Sequence, residues 1–165
     1  MSYDLIVDWK GTSSQVASKE IIKFYAKNGL DIAIHPDACP YIDLGSQTGL
    51  LPIVLKRDSK FFKRRFDIDL CTGVELYPTE PNCNGDGAMS VLVNMHYNED
   101  GCVEFLCGFM FAGAIASIFG GIVTDPQTPE KFTADGVKPL LDVAKENFWD
   151  SFNKLSSDGA NKIGW

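Results

Sequence analysis

Two histidines and five cysteines are the side chains most able to do chemistry near neutral pH. His35 and His96 each stand beside apolar residues in a predicted strand or at its end, where an imidazole is ordinarily a packed or edge residue rather than a base. The cysteines, Cys39, Cys71, Cys83, Cys102 and Cys107, form an odd set without a C-x-x-C pair, so free thiols are expected and not a disulfide framework. They also lack the close paired spacings of a four-ligand zinc site, and no metal is expected. Cys107 precedes Gly108 near a predicted helix start, and a helix N-terminus can hold a thiol as thiolate. A buried structural thiol is the simpler reading. No Gly-x-Ser-x-Gly elbow occurs, and Gly85-Asp86-Gly87 and Gly120-Gly121 lack the context and lysine of a phosphate-binding loop. No catalytic constellation emerges, and no cofactor is expected.

Carboxylates are the other abundant chemistry. The chain of 165 residues has 22 acidic residues against 15 lysines and arginines, a formal charge of -7. Nucleic acid is bound mainly through basic side chains with release of counterions, so it is not the expected partner. A basic protein fits better. Asp67 and Asp69 alternate with Phe66, Ile68 and Leu70, which puts both carboxylates on the solvated face of a half-buried strand. Glu75 continues that strand, and Asp86, Glu99 and Asp100 stand in the turns around it. These six acids are the expected partner-binding residues. Lys56, Arg57, Lys60, Lys63, Arg64 and Arg65 gather six of the basic residues into ten positions and read as a solvated turn.

The elements that must position these residues follow from periodicity. Residues 3–9 have the aromatic and branched side chains of a strand. Thr12-Ser13-Ser14 resembles a helix cap, and Val16, Ala17, Ile21, Phe24 and Tyr25 recur at helical spacing up to the stop at Asn28-Gly29. A strand over 30–34 ends at Pro36 and Pro40, residues 37–49 read as a loop, and 50–55 as a short strand despite Pro52. Residues 66–77, 88–97 and 103–107 are expected to form a three-stranded antiparallel meander.

Residues 105–123 carry no charge, a length close to that of a membrane span, but acidic residues flank them and glycines interrupt them. They are read as core: the end of the third meander strand, a short helix over 109–119, a stop at Gly120-Gly121, and an extended piece from Ile122. Leu140, Leu141, Ala144, Phe148, Phe152 and Leu155 form one stripe of an amphipathic helix over 137–155. The expected fold is a single α+β domain over 1–165. It has a mainly antiparallel sheet, an N-terminal β-α-β unit, a short core helix and a C-terminal amphipathic helix. The opening Met1-Ser2-Tyr3-Asp4-Leu5 is not a secretory signal, which implies a cytoplasmic protein.

Two segments resemble small bacterial proteins of polymorphic toxin and contact-dependent inhibition loci. The first is Ser2-Tyr3-Asp4-Leu5-Ile6-Val7-Asp8-Trp9, similar to that family's first strand. The second is the stretch 111–127, which contains Gly120-Gly121 and Asp125-Pro126-Gln127 and is similar to its helix, glycine pair, strand and Asp-Pro-Gln motif. The resemblance implies an immunity protein that binds and blocks a cognate toxin. The acidic balance adds that an acidic surface covers the toxin, a nuclease among the candidates. Two other classes stand beside it: a small enzyme acting on a metabolite through Cys107 or His96, and a regulatory binding module.

Overall fold

The computed structural model describes residues 2–56, 69–80, 88–96, 102–128, 130–136 and 138–139. The first strand, β1 (Ser2–Lys10), alternates as its sequence requires, with Leu5, Val7 and Trp9 buried and Asp4, Ile6 and Asp8 on the opposite side. The helix α1 (Ser18–Lys27) begins later than the cap-like hydroxyls suggest. A short strand, β2 (Gln15–Ala17), comes first and pairs with β4 (Tyr41–Asp43), inside the segment expected to be loop. Ser14, one of those hydroxyls, is spent on that pairing. Ser14 Oγ donates to Asp43 Oδ1 at 2.6 Å and Ser18 Oγ to the Ala38 carbonyl at 2.5 Å, so residues that favour a cap tie two distant segments instead. The C-terminal stop of α1 falls where Asn28-Gly29 predicts, with the Leu30 N–H donating to the Tyr25 carbonyl at 3.0 Å.

Six further strands and one helix complete the main layer. They are β3 (Ile32–Ile34), β5 (Gly49–Leu55), β6 (Leu70–Thr79), β7 (Ala88–His96), the helix α2 (Cys102–Phe119), and the strands β8 (Ile122–Thr124) and β9 (Lys131–Phe132). Among the described residues, seven strands form one antiparallel sheet in the order β3-β5-β6-β7-β1-β8-β9. β1 and β3 flank α1 in sequence but stand apart in the sheet, with β5, β6 and β7 between them. Pro52 is accommodated because the edge strand β3 pairs β5 only from Ile53 onward, so no described strand requires its missing N–H. The fold class is α+β with a mostly antiparallel sheet, as the periodicity implies.

The third meander strand is overturned. Residues 103–107 are the first turns of α2, and the meander is β5-β6-β7, with β1 pairing β7 from Ser2↔His96 to Lys10↔Ala88. An apolar run does not reveal its period when it is buried on every side, and residues 106–116 are all buried. Gly108 does not interrupt the helix. A Cβ there would stand 2.3 Å from Met95 Cγ and Sδ, so the glycine lets α2 lie close on β7. Gly120, at φ 64°, ends α2 in the left-handed conformation, and the Gly121 N–H caps the Ala116 carbonyl at 2.8 Å. Among the described residues no helix is long and apolar enough to cross a membrane. The helix expected over 137–155 lies outside the described residues except for 138 and 139.

The helices α1 and α2 pack on one face of the sheet. Leu5, Val7, Leu70, Val74, Leu76, Val91, Val93, Met95 and Val123 form the floor beneath α2, and Ile32, Ile34, Ile53 and Leu55 extend it toward α1. Tyr25 joins the two helices, donating to the Cys107 carbonyl at 2.5 Å.

Candidate functional site: the open face of the sheet

No described element lies over the second face of the sheet, and its pleat carries the acids of two strands, β6 and β1, on either side of β7. Glu75 of β6, Asn94 of β7 and Asp4 of β1 are successive cross-strand partners, so the two carboxylates stand about 10 Å apart with an amide between them. Asn94 Nδ2 donates to Asp4 Oδ1 at 2.5 Å. The Tyr77 hydroxyl donates to Glu75 Oε2 at 3.1 Å, and that hydrogen bond raises its phenol above the ordinary tyrosine value. Asp8 lies two pleats beyond Asp4, and its buried Oδ1 finds no hydrogen-bond donor. Apolar side chains surround the acids. Leu50, lying over Gly73, is 50% exposed, Tyr77 39% and Ile122 46%. Among the described residues, lysines stand toward the margins, Lys10 at the end of β1, Lys56 just after β5 and Lys131 on β9.

At the end of β7 this face meets α2. His96 Nδ1 lies 3.2 Å from Glu104 Oε1 and 4.0 Å from Glu75 Oε1, and the His96 N–H donates to Glu104 Oε1 at 2.8 Å. Glu104 therefore positions the imidazole from the first turn of the helix. Among the described residues, no three histidine, cysteine or acidic side chains are placed to hold a metal ion.

The expected partner-binding acids divide unevenly. Glu75 is at the centre of the open face. Asp69 lies just before β6 begins and not within the strand, with Lys56 Nζ 3.5 Å from its Oδ2, about 20 Å along the chain direction from Glu75. Asp67, Asp86, Glu99 and Asp100 lie outside the described residues. Sequence reading missed Asp4, Asp8 and Glu104. The signal for the first two was present, since Asp4, Ile6 and Asp8 alternate against Leu5, Val7 and Trp9. Nothing local marked Glu104, whose partner is eight residues away across a strand-to-helix junction.

Two other candidates change character. Cys107 is mid-helix, fully buried, and burial pushes its thiol up to about 12, the reverse of helix-start activation. Asp125 of the Asp-Pro-Gln motif is 5% exposed and serves as a tie. Burial would raise its carboxyl, but hydrogen bonds from the Tyr3 hydroxyl, the Gln127 and Thr128 N–H groups and the Thr128 hydroxyl outweigh it and hold it below the usual range. Tyr3 is correspondingly raised, first by burial and then by Asp125. The motif fastens the β8-β9 turn to β1. No protein-family model matches the chain, and no curated protein matches it.

Proposed function

We propose that this protein is a cytoplasmic immunity protein that neutralises a cognate toxin by covering it with an acidic surface. The observation that carries the reading is the open sheet face, where Asp4, Asp8 and Glu75 stand among exposed Leu50, Tyr77 and Ile122 on a chain of charge -7. A rigid sheet holds such a surface ready without an ordering cost. Charge complementarity toward a basic toxin, such as a nuclease at its nucleic-acid groove, would speed capture and discourage wrong partners. The resemblance of the first strand and the Asp-Pro-Gln stretch supports the same reading. Growth protection of cells expressing the toxin domain encoded beside this gene is the test. Protection by the wild-type chain, with a stable complex of the purified proteins, is expected. Absence of both would end the reading.

The enzyme alternative keeps one observation, the imidazole of His96 oriented by Glu104 at 3.2 Å. It loses Cys107 as a nucleophile. A His96→Ala variant that protects as well as wild type would leave that pair without a role in toxin capture.

A further inference from the structure

We infer that the open face of the sheet is a docking surface for an arginine-bearing protein segment, centred on the Asp4–Asn94–Glu75 row. This deepens the toxin-neutralising reading and rests on it for the partner's biological identity, but not for the surface itself. Three features select the occupant. The row presents two carboxylates about 10 Å apart, a span that two long arginine side chains two residues and about 7 Å apart on one face of an extended segment cover by splaying. Tyr77, 39% exposed and hydrogen-bonded to Glu75, sets an aromatic ring beside a carboxylate, the pairing that suits a planar guanidinium better than an ammonium. The Asp8 Oδ1 without a hydrogen-bond donor adds negative potential to this face.

A second copy of the chain is disfavoured as the occupant, because a two-fold contact through this row would bring carboxylates against carboxylates. Exposed Leu50, in register with Glu75, flanks the row, and exposed Ile122, in register with Asp8, lies farther along the face; both give apolar contact to the stem of an arginine side chain or its neighbours.

The probe is a deca-arginine peptide, titrated into the full-length wild-type protein and followed by amide chemical shifts, with deca-lysine beside it. Shifts concentrated on β1, β6 and β7, with arginine binding more tightly than lysine, are expected. The Asp4→Asn/Glu75→Gln double variant should lose roughly tenfold in affinity. Asp37→Asn/Asp135→Asn removes the same formal charge from side chains 94% and 93% exposed elsewhere, and should change affinity far less. Circular dichroism on both variants verifies the fold, and the wild-type shift map stands whether or not either variant folds. Equal losses from the two double variants, or shifts spread over all exposed acids, would show that net charge alone attracts the peptide and would overturn the inference. A dimer in sedimentation that Ile122→Glu dissociates would overturn it in favour of self-association. Because the peptide assay needs no toxin, failed growth protection with localised peptide shifts would remove the immunity reading and leave the docking surface standing.

Discussion

The two faces of the sheet differ in what their side chains are held by. Beneath α2, Val91, Val93, Met95 and Val74 are fully buried, and Gly108 removes even a methyl group to let the helix approach Met95. On the other face the same strands present Glu75, Asn94, Tyr77 and Asp4, held by hydrogen bonds between neighbours and partly open to water. One face is governed by close packing, where a single missing methylene is felt. The other is governed by charge and by what it meets. Stability should therefore concentrate on the first face and recognition on the second.

The strongest way to break this comparison is Phe111→Ala. Phe111 is fully buried in α2, and its loss should cost about 3–5 kcal/mol in denaturant unfolding. Tyr77→Ala on the open face should cost much less, and equal costs would mean that both faces are core.

Next in size is Gly121→Ala. Its Cβ would lie 2.6 Å from the Asp8 carbonyl oxygen, a backbone atom that cannot turn aside, so a loss of about 1–3 kcal/mol is expected from overpacking. An unchanged unfolding midpoint would show that β8 can shift away from β1.

Tyr3→Phe sharpens the comparison at the sheet margin. It leaves the Asp125 carboxylate without one donor and should cost about 1–3 kcal/mol at neutral pH. The pH dependence has a definite sign. Asp125 is lowered in the folded protein, so its contribution is present above the ordinary aspartate value of about 3.9 and is lost as pH falls through the lowered one. Tyr3 is raised, so its contribution is present below the ordinary tyrosine value of about 10 and is lost as pH rises toward the raised one. The stability difference between wild type and Tyr3→Phe should be widest between those limits. A difference that stayed constant from pH 3 to pH 11 would exclude the Tyr3–Asp125 bond as its source.

The smallest effect on stability belongs to Asp4→Asn/Glu75→Gln. Both replacements keep an acceptor for Asn94 and Tyr77, and unfolding should change by no more than about 0.5 kcal/mol. A large loss would place these acids in the scaffold and not in a recognition surface.

The sequence by itself determined whatever rests on short-range rules. Alternation in β1 set its two faces, Asn28-Gly29 and Gly120-Gly121 set where both helices end, and acidic excess set the charge of the surface. Only the tertiary structure decided the rest. Residues 103–107 became helix because an apolar run carries no period once every side is buried, and the close approach at Gly108 is visible only against Met95. Ser14 and Ser18, which could cap a helix, found Asp43 and Ala38 across the chain instead. The acidic row likewise exists only because β1 pairs β7 and β7 pairs β6: Asp4, Glu75 and Asn94 are up to 90 residues apart in sequence, and register, not spacing, brings them together.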